Sequence, residues 1–153
     1  MATRSNIGIL NEDGTVTAIY CHWDGYPEGV GLTLVNHYQD EDRVRELLSL
    51  GSISYLTPII APPNPNGEIT NERVRGILEK FNPTPEHTFD DPIPGITVAY
   101  HRDRGEPFEV GTFTSEDVYT KYNNSGWVDY NYLFKNNQWY CGGRTVKKIL
   151  KIE

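Results

Sequence analysis

The run Ile19-Tyr20-Cys21-His22-Trp23-Asp24-Gly25-Tyr26-Pro27 holds an indole, two phenols, an imidazole, a thiol and a carboxylate. Flat rings stack on a nucleobase, and imidazole and carboxylate read polar edges. A second run, His101-Arg102-Asp103-Arg104-Gly105-Glu106, places two guanidinium groups one residue apart at the end of an expected strand. Residues spaced by two on a strand project to the same side, and Arg grips phosphate bidentately. Tyr20, His22, Trp23, Asp24, Tyr26, His101, Arg102 and Arg104 are therefore the candidate ligand-binding residues. The bland alternative for Arg102 and Arg104 is surface ion pairing with neighbouring acids.

Catalytic templates are absent from the sequence. It contains no G-x-S-x-G, no phosphate-binding P-loop, no dinucleotide-binding glycine fingerprint and no H-E-x-x-H. A Cys21–His22 dyad is excluded on a strand, because adjacent side chains point to opposite faces. Cys21 with His37 or His101 has no support from spacing. Asp24, Asp90, Asp91, Asp103 and Glu106 are the carboxylates available for acid–base work, a role that needs convergence in space. With no C-x-x-C or H-x-x-x-H pair, neither a metal site nor a cofactor is expected.

The loop of the first run needs a scaffold. Ser5–Leu10 and Thr15–His22 read as a hairpin around the turn Asn11-Glu12-Asp13-Gly14. In the second strand, Val16, Ala18 and Tyr20 share one face, and Thr17, Ile19 and Cys21 the other, which suggests cover on both sides. Asp24-Gly25 and Pro27 mark a turn at its end. Gly29–Tyr38 has helical spacing through Val30, Leu34 and Tyr38. Asp40, Glu41 and Asp42 open a second helix that runs through Val44, Leu47 and Leu48 to a stop at Gly51. Ile53 and Tyr55 suggest an edge or extended segment.

From residue 57 to 94 eight prolines fall, at positions 58, 62, 63, 65, 83, 85, 92 and 94. One helix is signalled inside, over Asn71–Phe81, with Thr70 as N-cap and Ile69 and Val74 at the staple positions. This proline-rich stretch is expected to be an inserted flap or lid. A strand over Ile96–Tyr100, a short one beginning at Phe108 and Val110, and a Thr114-capped helix through Tyr122 follow. The hairpin Trp127–Phe134 and Gln138–Gly142 turns at Lys135-Asn136-Asn137, and Thr145–Ile152 alternates as a closing strand. Trp127, Tyr130, Tyr132, Trp139 and Tyr140 form an aromatic surface of which about half must be core. The expected fold is a single α+β domain, a mainly antiparallel sheet with three or four helices and a proline-rich helical excursion.

The chain of 153 residues carries a formal charge of −7, which argues against non-specific nucleic-acid binding. It leaves room for a small anion held in a local basic pocket. Tyr is over-represented, with 10 Tyr against 5 Phe and 3 Trp, and suits both strands and recognition surfaces. No signal-peptide pattern and no membrane-length apolar run is seen, so a cytoplasmic protein with reduced thiols at Cys21 and Cys141 is expected.

The segments Ser5–Leu10, Asp13-Gly14, Ile19–Tyr26, His37-Tyr38 and Val98–Glu106 together resemble a group of small, functionally unassigned proteins encoded by tailed bacteriophages. The C-terminal aromatic hairpin is similar to theirs as well, and roughly residues 57–86 look like the variable part. The resemblance implies a phage accessory protein in the host bacterial cytoplasm. Small phage proteins of that kind often blunt host defence, by binding a host protein or by sequestering a nucleotide signal. The leading expectation is thus a non-catalytic anti-defence sponge for a small nucleotide-like ligand, working as a homo-oligomer. A direct protein inhibitor of a host defence factor is the alternative, and a nucleotide or sugar hydrolase the second.

Overall fold

The computed structural model describes residues 3–58, 60, 97–100, 108–122 and 128–152. Alternating apolar residues and the Asn11–Gly14 turn make β1 (Ser5–Leu10) and β2 (Val16–Cys21) an antiparallel hairpin. Asp13 locks the turn by accepting from the Thr15 hydroxyl at 2.6 Å and the Thr15 N–H at 3.0 Å. Those bonds hold its carboxyl below the usual carboxylate range.

After β2 come a π-helical turn (Pro27–Gly31), α1 (Leu32–His37) and α2 (Glu41–Leu48). Asp40 caps α2 as the charge pattern predicts, accepting from the Arg43 N–H at 2.9 Å. The chain then forms β3 (Ile53–Tyr55), β4 (Val98–Ala99), β5 (Gly111–Phe113) and α3 (Glu116–Thr120). It ends with β6 (Tyr130–Lys135), β7 (Gln138–Cys141), β8 (Arg144–Thr145) and α4 (Val146–Leu150).

The fold is α+β. One sheet runs β4-β3-β2-β1-β6-β7-β8, and β5 pairs with the first half of β2. Five of its seven pairings are antiparallel; β1–β6 and β2–β3 are parallel. Both faces are covered. Ile7, Ile9, Ile19, Cys21, Tyr132, Phe134 and Trp139 pack under α1, α2 and α4, while Val16, Ala18 and Leu133 pack under Tyr119 of α3. This bears out the two-sided reading of β2.

Several expectations are corrected. Thr145–Ile152 is not a strand: Val146–Leu150 is helical, with the Thr145 hydroxyl accepting from the Lys148 N–H at 3.2 Å. Its apolar residues fit both periods, and packing of Val146 against the π-turn and α1 decides for the helix. Ile53–Tyr55 is an interior strand between β2 and β4. The strand expected at Phe108 begins at Gly111, and the cap expected at Thr114 is Ser115, whose Oγ accepts from the Val118 N–H. The final hairpin spans Tyr130–Lys135 and Gln138–Cys141, with Asn136 and Asn137 both at positive φ. The proline-rich excursion with its Asn71–Phe81 helix, apart from its first few residues, and Trp127 lie outside the described residues.

Candidate functional site

The tail of β2 is extended by backbone bonds to β3: His22 N–H donates to the Ile53 carbonyl at 3.1 Å, and Trp23 N–H to the Ser54 carbonyl at 2.8 Å. The chain then reverses. Asp24 takes the left-handed conformation at φ 57°, which Asp tolerates better than most residues. Gly25, the other residue of the turn, is needed because its backbone is closely approached. A Cβ there would sit 2.8 Å from the Thr3 carbonyl oxygen and 2.8 Å from the Ser5 Cβ.

The reversal is clamped from below. Gly25 N–H donates to the Thr3 carbonyl at 2.8 Å, and the Gly25 carbonyl accepts from the buried Tyr132 hydroxyl at 2.6 Å. The Asp24 carbonyl accepts from Val30 N–H at 2.8 Å, which ties the loop to the π-turn. Gly29 makes this approach possible, since a Cβ on it would lie 2.3 Å from the Asp24 carbonyl oxygen.

On this clamped backbone Trp23 is 43% and Tyr26 40% exposed, while Cys21, Gly25 and Pro27 between and beside them are buried. Large rings held outward at that exposure on an anchored loop are placed to meet another molecule. His22 stands edge-on to Trp23, with ring centroids 4.8 Å apart at 89°. The Tyr20 oxygen lies 2.7 Å from His22 Nδ1. Burial, with the nearby Arg4 charge second, holds the imidazole below its ordinary value of 6.5. In the Nε2–H tautomer of the neutral ring Nδ1 accepts from the Tyr20 hydroxyl, and in the other tautomer it donates to the Tyr20 oxygen.

Thus Tyr20, His22 and Trp23 form one ring cluster, with the Asp24 carboxylate and Tyr26 exposed beside it. His101, Arg102 and Arg104 lie outside the described residues. Their described flanks converge: Tyr100 N–H donates to the Ser52 carbonyl at 3.1 Å, and Ser52 N–H to the Glu109 carbonyl at 3.0 Å. Ser52 is next to Ile53, the partner of His22.

Cys21 is no nucleophile. It is fully buried, burial pushes its thiol up to about 12, and the proton is directed to the Trp23 carbonyl at 3.5 Å. His37, a candidate partner, is exposed. Cys141 sits on β7, with β1 and β6 between it and β2, so the two thiols are about 14 Å apart by strand spacing and free. Of the aromatic hairpin, Tyr132 and Trp139 are core and Tyr130 and Tyr140 half-buried. The Trp139 Nε1–H donates to the Tyr38 carbonyl at 2.7 Å.

Residue-by-residue reading missed two contributors. Arg4 falls opposite His22, one step beyond the Ser5↔Cys21 pair, and the hairpin register alone contains that signal. Tyr132 reaches the loop through the parallel β1–β6 pairing, which no local pattern reveals. Among the described residues no cluster of His, Cys, Asp and Glu is suited to a metal ion, and no helix is long and apolar enough to cross a membrane. No protein-family model matches the chain. Comparison with curated proteins and with solved structures gives no match.

Proposed function

We propose that this chain is a bacteriophage anti-defence protein that captures a small, anionic, nucleotide-like signal in the host cytoplasm and holds it unchanged. The observation that carries the reading is the exposed Trp23–Tyr26 pair on a loop fixed by the Tyr132, Thr3 and Val30 bonds. A preformed aromatic platform loses little entropy when a base stacks on it. In this reading Trp23 and Tyr26 take the base, and Tyr20, His22, Asp24 and His101 serve its polar edges. Arg102 and Arg104 meet phosphate, and two subunits enclose the ligand. Holding without turnover is supported by the buried, protonated Cys21, which leaves the ring cluster without a thiolate.

The test is thermal denaturation against a nucleotide panel, with native mass spectrometry of protein taken from bacterial lysate. A ligand that binds only the folded state at a hundred times its Kd stabilises by about 2.7 kcal/mol. Stabilisation by a nucleotide, returned chemically intact and lost in Trp23→Ala with the fold retained, is the expected result. Chemical alteration of the nucleotide moves the assignment to a hydrolase. An empty protein held by a host polypeptide moves it to a direct inhibitor.

A further inference from the structure

The described residues hold one surface whose charge runs against the rest of the molecule. Arg144, Lys147, Lys148 and Lys151 are four of the 14 Lys and Arg residues, gathered within one short stretch of a chain of net charge −7. The sequence from Asn136 to Ile152 contains no Asp or Glu. All four cations are exposed, and among the described residues none forms an ion pair. Among the other described basic residues, Arg43 pairs with Glu46, Arg45 with Glu41 and Lys135 with Glu116, and Lys121 at the end of α3 is a single exposed cation away from this cluster. Val146 and Leu150 turn one side of α4 onto the core, and its lysines are exposed on the other.

The tertiary packing gives this surface its meaning. α4 lies against the π-turn and α1, and Val146 reaches Gly31 so closely that a Cβ there would be 3.1 Å from its Cγ1. The π-turn begins directly after Tyr26. Gly31 is the fifth residue after Tyr26, at most about 8 Å along a helical axis. Gly31 also lies against Tyr132, whose hydroxyl reaches the Gly25 carbonyl, so the start of α4 packs about one side chain away from the aromatic loop.

Resting on the nucleotide reading above, we propose that the outer side of α4, with Arg144, is the phosphate-binding arm of the aromatic site. The ligand class is narrowed accordingly, to nucleotides that carry two or more phosphate groups. Several unneutralised cations on one short helix match a chain of phosphates, whereas a nucleoside or a monophosphate engages few of them.

The test uses inorganic tripolyphosphate as a base-free probe, by calorimetry at physiological salt. The wild-type protein binds it, and the triple variant Lys147→Gln, Lys148→Gln, Lys151→Gln loses at least about tenfold in affinity. The control Lys121→Gln, at the end of α3, binds as wild type, and circular dichroism verifies that the variants fold. No binding to wild type, an unchanged triple variant, or an equal loss in the control overturns the proposal. The nucleotide panel with Trp23→Ala is scored separately. Tripolyphosphate bound through α4, with no nucleotide requiring Trp23, refutes the aromatic reading and leaves only an anion site. A nucleotide requiring Trp23 but indifferent to the three lysines refutes the α4 assignment alone.

Discussion

Tyr132→Phe removes one oxygen and tests whether the aromatic loop is held by the core. Tyr132 is fully buried, and its hydroxyl donates to the Gly25 carbonyl at 2.6 Å. Phe keeps the ring volume, so no cavity of consequence forms, and the change isolates the hydrogen bond. The Gly25 carbonyl is left without that donor under a buried ring. Such an orphaned group costs about 1–3 kcal/mol. For a domain of this size each kcal/mol lowers Tm by about 2–4 °C, so the middle of that range gives a fall of roughly 4–8 °C. Urea denaturation followed by far-UV circular dichroism reads the same loss as a lower midpoint at unchanged slope. The control is Tyr130→Phe: Tyr130 stacks on Tyr132 at 6.2 Å, is half-buried, and its change is expected within about 0.5 kcal/mol of wild type. Tryptophan emission adds a local readout, since Trp23 is exposed on the loop and Trp139 is buried in the core. Equal stability of Tyr132→Phe and wild type would falsify the clamp.

Three further outcomes are expected. Gly29→Ala raises helix propensity yet destabilises by about 1–3 kcal/mol, because its Cβ would meet the Asp24 carbonyl oxygen at 2.3 Å; a stabilised variant in urea melts refutes the close approach. Cys21 resists alkylation in the folded protein at pH 8 and reacts after denaturation. Its thiol rises from 9.0 to about 12 on folding and Tyr38 from 10.0 to about 12, so stability is full below pH 9 and falls as pH climbs towards 12. Rapid native labelling of Cys21, or a flat alkaline limb, contradicts this. The His22 NMR titration midpoint lies below 6.5, and Arg4→Gln raises it only partly because burial is the larger cause. A depressed base stabilises above the unfolded value, so this contribution is lost as pH falls through the folded midpoint; a His22 midpoint at or above 6.5 sinks the assignment.

The sequence by itself determined the elements whose signals are local. The β1–β2 hairpin is written in its turn residues and alternation, α2 in Asp40 and its acidic first turn, and the Asn136–Asn137 turn in two residues that tolerate positive φ. It also placed the Ile19–Pro27 run where a strand ends and a turn begins. What it left open has long-range causes. The last segment alternates as a strand and also repeats as a helix, and only docking of Val146 on Gly31 chooses between them. β3 looks marginal alone and becomes interior because β2 and β4 flank it. Tyr132 and Gly25 are 107 positions apart, and only the parallel β1–β6 pairing brings them to 2.6 Å. The lysines of α4 fall on both faces of the strand read from the sequence, and only the helix gathers them on one exposed side. Hydrogen-bonded turns and caps are satisfied within a few residues, so composition specifies them; neighbours across a sheet are chosen by which faces can be buried together, and that belongs to the whole chain.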